Sequence, residues 1–347
     1  MTISASELEQ SRFVRYHTVD GYRIPIVSLA ALRSRDEREK RTLAEALGAV
    51  CRHIGYFYVE HHGVSEILLK TVETVVNQFF DLPMADKMAI HISKSPFHRG
   101  YAPSGEENAY GSTTKDIKEV FDMALELAPD DPDVLAGKFF HGYNAWPDAL
   151  PQLRPTMLWL YREWQALCEN IGELFAIALG LPNGYFSERT VKPLAQLRAS
   201  RYPQQPAADT GGAIGCGTHT DYGIVSVIWQ TDVAGLDVCD ASGRWVRAPR
   251  IPGTFTCPLG DAIGMWTNDH WRATPHRVVN LSGEIRHSLA FFFDPDHDCV
   301  IEPLPQFVSA ENPARYAPTT MGAHVARGFD DTFEYRKQAS AAEAEAY

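Results

Sequence analysis

Cysteine is scarce and irregularly spaced in this sequence. The six cysteines among 347 residues form no Cys-x-x-Cys pair, so nothing in their spacing indicates a disulfide framework or a zinc knuckle. Free thiols persist in reducing compartments. Residues 1–15 are polar and lack the apolar stretch of a signal peptide. We therefore expect a cytoplasmic protein.

Long apolar runs and an excess of positive charge are also missing. No apolar run approaches the roughly 20 residues that a membrane-spanning helix needs, so no association with a membrane is expected. The 32 Lys and Arg against 44 Asp and Glu give a net charge of −12. Such a balance disfavours nucleic acid or an anionic membrane surface as a partner. A small molecule is the expected partner.

What the sequence does contain is an ordinary globular composition with two unlike parts. Hydrophobic residues make up 45% of the chain and charged residues 22%, as in typical folded domains. The part from 22 to 193 is rich in helical spacing mixed with short β-branched or aromatic runs. These patterns predict a strand at 24–29, a helix at 43–54, a strand at 56–59 and helices at 64–80 and 157–179.

The part from 194 to 300 has a different texture, with short β-rich runs separated by turn signals. Several such strands at close spacing are typical of a sandwich or jelly roll. The predicted strands are 224–229, 236–239, 245–248, 262–266, 277–280 and 286–293. We expect one catalytic domain over 1–347, of the α+β class with a mostly β jelly-roll core flanked by helices, and a C-terminal segment at 301–347.

A polar loop at 93–111 lies between the two helical stretches and carries Glu106 and Glu107. Long loops with Gly and Pro often form walls of active sites. A solvated surface connector has the same composition, so both interpretations stay open.

The motif that carries chemistry begins at His219-Thr220-Asp221, directly before an apolar β run. Residues two apart on an extended chain point to the same face, so His219 and Asp221 can direct an imidazole and a carboxylate at one ion. A His-x-Asp by itself is common by chance in a chain with 13 histidines.

His276 supplies the third donor, because it precedes another β run downstream. Two histidines and one carboxylate that leave adjacent coordination positions open are the ligand set of non-haem iron(II) oxygenases. Catalytic zinc sites use the same ligand types and also keep a position open. These three residues are the predicted metal ligands and catalytic residues, and the choice of metal needs a further feature.

That feature is Arg286-His287-Ser288, ten residues after His276. Arg286 and Ser288 fall on one face of a predicted strand, where a guanidinium and a hydroxyl can together hold a carboxylate. An arginine on an inward face is costly unless it is paired, so an outward arginine in a surface ion pair is the alternative.

With these motifs in order, the sequence resembles the isopenicillin N synthase-like family of iron(II) and 2-oxoglutarate (2OG)-dependent oxygenases. The resemblance covers most of the chain, and its specific core is 197–295. Its landmarks there are Gly235-Leu236, Trp245, Gly260-Asp261, Thr267-Asn268 and the motifs above. Locally, Tyr222 and the stretch 100–107 look closest to a bacterial branch that includes ethylene-forming enzyme.

The resemblance implies a double-stranded β-helix and a set of cofactor-binding residues. It implies that Arg286 and Ser288 hold the distal carboxylate of 2OG, and it adds Tyr222 and Arg201 to the cofactor-binding set. Many plant members carry Asn and Tyr where this chain has Ser200 and Arg201, so their way of binding the metal-proximal end of 2OG does not transfer. Arg201 could bind the first carboxylate of 2OG or a carboxylate of the substrate.

The expected reaction is oxidation of a small-molecule metabolite with Fe(II), 2OG and O2, releasing succinate and CO2. Hydroxylation, desaturation and ring closure are all compatible with it. A carboxylate-bearing substrate or amino-acid derivative is expected from Arg201 and from family habit. Phe291, Phe293, Ile224 and Trp266 are candidates for the apolar wall of the pocket, although ordinary core packing is the default position of any one of them.

Three alternatives stay open at this stage. Isopenicillin N synthase itself uses an Arg-x-Ser pair without 2OG, so a 2OG-independent oxidase is the first. The second is breakdown of 2OG as in ethylene-forming enzyme. The third is a non-enzymatic ligand sensor on the same fold, which the presence of all three metal ligands and the carboxylate clamp disfavours.

Overall fold

A computed structural model describes residues 5–108, 116–204 and 214–337 of the chain. The helices are α1 Ala5–Leu8, α2 Glu37–His53, α3 Glu66–Phe80, α4 Met84–Ala89, α5 Pro132–Leu135, α6 Leu153–Leu179, α7 Asp261–Trp266 and α8 Met321–Thr332. The strands are β1 Val14–Val19, β2 Tyr22–Ser28, β3 Tyr56–Glu60, β4 Gly100–Ala102, β5 Glu119–Ala124, β6 Gln196–Tyr202, β7 Cys216–His219, β8 Val225–Gln230, β9 Leu236–Cys239, β10 Trp245–Arg247, β11 Thr254–Pro258, β12 His276–Val278, β13 Arg286–Phe293, β14 Val300–Ile301 and β15 Thr319–Thr320.

Two sheets build the core of the molecule. The larger has nine strands in the order β1-β2-β3-β11-β8-β13-β6-β5-β4, and the smaller has four in the order β10-β9-β12-β7. A buried cluster that includes Ile24, Tyr58, Leu236 and Val278 joins the inner faces of both sheets. This arrangement is the predicted jelly roll. Strands from both halves of the chain share the larger sheet, so the two halves do not form separate structural layers.

The longest helix, α6, covers the outer face of the larger sheet. Apolar residues at helical spacing are buried along its whole length, and Tyr161 packs edge-on against Phe291 of β13 with ring centroids 5.1 Å apart. Helices α2 and α3 pack on α6 in turn. Gly180 ends α6 in the left-handed conformation, with φ of 68°, which glycine adopts without a steric penalty. The helical layer therefore supports the sheet from behind.

The predicted strand at 262–266 is wrong, because these residues belong to α7. All five are buried, and a short run that is buried on every side reads the same way whether it is a helix or a strand. The tertiary structure decides for the helix. The backbone N–H of Asp261 donates to the carbonyl of Asp221, and that of Ala262 donates to the carbonyl of Tyr222, so α7 begins directly against the His-x-Asp segment.

Neither a membrane-spanning helix nor a disulfide is present among the described residues. No helix there is both long and apolar enough to cross a membrane. All six cysteines lie in the described ranges and are free.

Candidate metal centre

Strand register brings the two predicted histidine ligands together. Strands β7 and β12 pair antiparallel, and His276 lies directly opposite His219 in that pairing. Asp221 follows two residues after His219, just beyond the end of β7. Two histidines that are far apart in the chain thus become cross-strand neighbours, which a sequence pattern alone does not determine.

The three side chains converge on one point. Their ligand atoms lie within 4.8 Å of one another, and no other group of three His, Cys, Asp or Glu in the described ranges does so. Nε2 of His219 lies 3.7 Å from Oδ1 of Asp221, and Nε2 of His276 lies 3.6 Å from the same oxygen. Each donor faces the same small volume.

Hydrogen bonds on the far side of each ring fix its orientation. Nδ1 of His219 lies 2.9 Å from the carbonyl oxygen of Gly217, and Nδ1 of His276 lies 3.0 Å from that of Thr274. A carbonyl accepts only from a protonated nitrogen, so Nε2 is left as the free lone pair on both rings. Burial lowers the pKa of His276, against the opposing charge of Asp221, which favours the neutral imidazole that a metal requires.

The carboxylate of Asp221 is held by Ser226 of β8, whose hydroxyl donates to Oδ2 at 2.6 Å. We expect Ser226→Ala to weaken iron affinity by about tenfold, because removing the partner of a metal ligand typically costs about 10- to 100-fold. Metal titration of the apoprotein measures this. The exposed Ser187 provides the matched control, and equal iron affinity in Ser226→Ala and Ser187→Ala would contradict the prediction.

Two imidazole nitrogens and one carboxylate oxygen on one side of an ion suit iron(II) and leave adjacent positions for further ligands. Zinc uses the same donors in hydrolytic sites. The donor set alone therefore does not distinguish the two metals, and the residues around it do.

The distinguishing residue is Arg286 at the start of β13, which is only 1% exposed. Nη2 donates to Oε1 of Gln230 at 2.8 Å, and the guanidinium lies 4.9 Å from the ring centre of Tyr202. Among the described residues, neither Nε nor Nη1 has a hydrogen-bond partner. A buried cation with two free donors is expensive unless an anion reaches it.

The surroundings of Arg286 fit a carboxylate. Ser288 lies on the same face of β13, opposite Gln230 of β8 and Ser200 of β6. Gly235 makes room for the arginine, because a Cβ there would lie 2.9 Å from Cδ of Arg286. A guanidinium and a hydroxyl side by side form a bidentate cradle for an organic acid, so this observation separates the site from a plain hydrolytic zinc centre.

Two cavities meet at the candidate metal centre. The first, here the Arg286 cavity, is lined by Tyr202, His276, Arg286 and Ser288 among others. The second, here the Tyr222 cavity, is lined among others by the segment His219 to Tyr222 and by Asp294 and Phe329. Both contain Lys118, Arg198, Cys216, His219 and Phe292. These shared side chains form the boundary between them.

Buried charges occupy that boundary. Arg198 of β6 forms a two-point ion pair with Asp122, with Nε to Oδ1 and Nη2 to Oδ2 both 2.8 Å, and Nη1 also reaches Glu107 at 2.9 Å. Lys118 reaches Glu107 and Asp116, each at 3.1 Å. The two cations hold the pKa of Glu107 far below its usual range, although burial opposes this. Glu107 thus places the polar loop at 93–111 on a cavity wall, while 109–111 lie outside the described residues.

Arg201 does not lie on either cavity. Its Nη1 pairs with Asp81 at 2.9 Å and its Nε lies 3.4 Å from Glu119. Side chains alternate between the faces of a strand, so the inward positions of β6 are those of Arg198 and Ser200, and Arg201 faces the other way. The expected cofactor-binding role of Arg201 is corrected to an outer ion pair.

Tyr222 lies on the Tyr222 cavity, away from Arg286. Its ring packs edge-on against His324 and Phe329, both with centroids 5.7 Å away. Tyr222 does not line the Arg286 cavity, and its role in cofactor binding stays a prediction.

None of the four candidates for the apolar wall lines either cavity, and the core packing that was their alternative is observed. Phe291 and Phe293 belong to the large core beneath the helices, as do Ile224 and Trp266, whereas the phenylalanine that lines both cavities is Phe292. The physical reason is again alternation: if Arg286 and Ser288 face inward, then so do the even positions up to Phe292.

Several residues of the site escaped the sequence analysis, namely Gln230, Tyr202, Ser226, Arg198 and Lys118. For Arg198 and Tyr202 a weak signal existed, since both share strand parity with Ser200. That signal becomes useful only once the register between β6 and β13 is known. For Gln230, Ser226 and Lys118 no motif distinguishes them from ordinary strand residues.

Comparison with known families agrees with this geometry. Residues 24–149 match the family described as non-haem dioxygenase in morphine synthesis N-terminal, and residues 193–295 match the 2OG-Fe(II) oxygenase superfamily. A homoarginine-6-hydroxylase of Glycine max is 33% identical over 298 residues, with 81% of this chain and 88% of that protein covered. A 2-oxoglutarate-Fe(II) type oxidoreductase of Aspergillus fumigatus is 30% identical over 314 residues, with 89% and 93% covered.

Solved structures give the same result. A full-length Neurospora crassa protein in complex with alpha-KG and thymine superposes with a TM-score of 0.78 at 26% identity, covering 90% of this chain and 99% of that one. JOX2 in complex with 2OG, Fe and JA superposes with a TM-score of 0.72 at 26% identity, covering 97% of each chain. None of these names supports the 2OG-independent oxidase, the ethylene-forming reaction or the sensor.

Proposed function

Because this chain belongs to the 2OG-Fe(II) oxygenase superfamily, we propose that His219, Asp221 and His276 bind its iron and that Arg286 and Ser288 bind the distal carboxylate of 2OG. The single observation that carries the proposal is the buried Arg286 with two unpaired donors in a cavity that also contains His219 and His276. The iron ion and 2OG both fit the residues present at the site.

The protein is a non-haem iron, 2OG-dependent oxygenase that oxidises a small molecule. Bound iron(II) supplies the chemistry by which O2 and 2OG yield succinate, CO2 and an oxidised substrate. The local likeness to ethylene-forming enzyme and to a bacterial branch stays a prediction.

The protein's own residues orient the reactants and exclude water. Ser226 holds Asp221, and backbone carbonyls hold both histidines with Nε2 inward. Gln230 fixes one edge of Arg286, which leaves the other edge for a carboxylate. The Arg286 side chain and the side chains of Asp221 and His276 are almost fully buried, and a site closed to water strengthens every charge interaction within it.

The nature of the substrate remains a proposal. One relative is named for homoarginine and one solved neighbour binds thymine, so nitrogen-containing small molecules are suitable trial substrates. A carboxylate on the substrate was expected from Arg201, which lies on the outer face. The carboxylate-bearing substrate therefore stays a prediction without an identified cation to bind it. Arg198 and Lys118, which do line the cavities, already have carboxylate partners.

We also propose that 1–347 acts as one catalytic domain in a reducing, cytoplasmic compartment. The single domain is supported by β1 to β5, which extend the same sheet as β6, β8 and β13. The reducing compartment is supported by the six free cysteines, since thiols stay reduced in such a compartment.

The test is formation of succinate from 2OG by the iron-loaded protein in air, with homoarginine and thymine as trial substrates. Removal of the metal by a chelator is expected to lower succinate formation by more than about 100-fold, because iron supplies the oxidative chemistry. Added Fe(II) should restore it and Zn(II) should not. Failure of the wild-type protein to bind 2OG in calorimetry would overturn the assignment of Arg286.

A further inference from the structure

The inner face of the larger sheet is a ladder that runs from the Arg286 cavity to the Tyr222 cavity. In the pairing of β6 with β13, Arg286 lies opposite Tyr202, and six residues further along β13 Phe292 lies opposite Gln196. Asp294 follows two residues after Phe292 and has the same parity. Gln196 and Asp294 are therefore diagonal neighbours at the end of the ladder away from Arg286, with Cα atoms about 7–8 Å apart in such a pairing.

Both side chains carry a polar atom that has no hydrogen-bond partner in the part of the chain that the structure describes. Gln196 and Asp294 are each 4% exposed. Among the described residues, Nε2 of Gln196 and Oδ1 of Asp294 have no hydrogen-bond partner, yet both residues line the Tyr222 cavity. Nε and Nη1 of Arg286 are likewise buried without a hydrogen-bond partner among the described residues, and Arg286 likewise lines a cavity. Buried polar groups are almost always paired, so two unpaired polar side chains that line one cavity indicate a ligand.

The cations beside this pair already have carboxylate partners. Arg198 and Lys118, the cations on the cavity wall, are already neutralised by Asp122, Glu107 and Asp116. An added carboxylate would therefore find no unpaired lysine or arginine among the described residues of this wall.

We propose that Gln196 and Asp294 form a substrate subsite for an uncharged hydrogen-bonding group that both accepts and donates, of the amide, imide or urea class. The subsite rests on the proposed function, because it names the part of the substrate bound beside the iron ligands. The amide of Gln196 donates to the carbonyl oxygen of the substrate, and Asp294 pairs with its N–H. The rings of Tyr222, Phe292 and Phe329 on the same cavity suit a planar group of this class.

The first test needs no substrate. An unpaired buried amide destabilises the folded protein, so Gln196→Met, which keeps the side-chain length, should raise the melting temperature by about 1–3 °C. Gln230→Met is the matched control, because both polar atoms of Gln230 are used, by Arg286 and by the carbonyl of Ala248. That variant should melt lower than the wild type. A lower melting temperature for Gln196→Met would assign Gln196 a structural role and overturn the proposal.

The second test uses acid and amide forms of the same skeletons. Calorimetry under nitrogen measures binding to the Fe(II) and 2OG-loaded protein of nicotinamide against nicotinic acid, glutamine against glutamate, and indole-3-acetamide against indole-3-acetic acid. We expect at least one amide to bind about tenfold or more tighter than its acid, and Gln196→Met and Asp294→Asn to lose that preference. Asn keeps the shape of Asp294, which matters because the packing there is tight enough that a Cβ at Gly223 would collide with the Asp294 side chain.

The affinity of 2OG, measured first on each protein, separates two kinds of failure. If the wild type does not bind 2OG, the proposed function is wrong, and the subsite that rests on it is wrong as well. If 2OG binds equally to wild type and variants, but the acids bind more tightly or no amide binds, the subsite alone is wrong.

Discussion

Replacement of His276 by alanine is expected to abolish turnover. His276 belongs to β12, whose pairing with β7 brings it opposite His219. Its Nε2 is one of only three donors in the cluster. Loss of one donor leaves a two-ligand site that does not retain iron, so we expect succinate formation to fall by more than about a thousandfold. Iron content after gel filtration provides a second measurement that does not depend on activity.

The control for this experiment is His53→Ala, since His53 is exposed at the end of α2. It should bind iron and turn over like the wild type. Full turnover in His276→Ala, or equal losses in both variants, would show that the triad is misassigned.

Replacement of Arg286 by methionine is the second large effect. Truncating one partner of a buried, hydrogen-bonded charge pair typically costs about 2–5 kcal/mol, so the dissociation constant of 2OG should rise by about 30-fold or more. In the absence of 2OG the same change should leave stability unchanged or raise it, because an unpaired buried guanidinium is itself costly. Calorimetry with 2OG and thermal unfolding without it measure the two effects separately.

Arg201→Met is the matched control, because Arg201 lies on the adjacent strand and pairs with Asp81 and Glu119 outside both cavities. The affinity for 2OG should be the same as in the wild type. A loss as large as that of Arg286→Met would return Arg201 to the cofactor-binding set and contradict the assignment of the faces of β6.

Local patterns in the sequence were sufficient to predict most of the elements around the site. Residues 56–59, 236–239 and 286–293 read as strands from their aromatic and β-branched content, and each lies in or coincides with a strand of the structure. The motif at 219–221 predicted a shared ion because His219 and Asp221 lie two apart on an extended chain. His276 added the third donor that such an ion needs.

The interpretations that the structure does not support have three different physical causes. Arg201 was assigned to cofactor binding and Phe291 was a candidate for the pocket wall, although their inward neighbours are Ser200 and Phe292. For Phe291, alternation counted from Arg286 already gave the correct face. For Arg201, the face depends on how β6 is registered against β13, and a shift of one residue exchanges the two faces of a strand. The run at 262–266 failed because burial on all sides removes the periodicity that separates helix from strand.

The sequence by itself determined the chemistry: two imidazoles, a carboxylate and an Arg-x-Ser pair, together with the strands that carry them. These properties are local, since they follow from residue type and from short spacings along the chain. Only the tertiary structure decided which side chains share a cavity, including Gln230 beside Arg286 and the unpaired Gln196 and Asp294 beyond the triad. The reason is that register between distant strands is set by packing of the whole sheet, and no short segment encodes it alone.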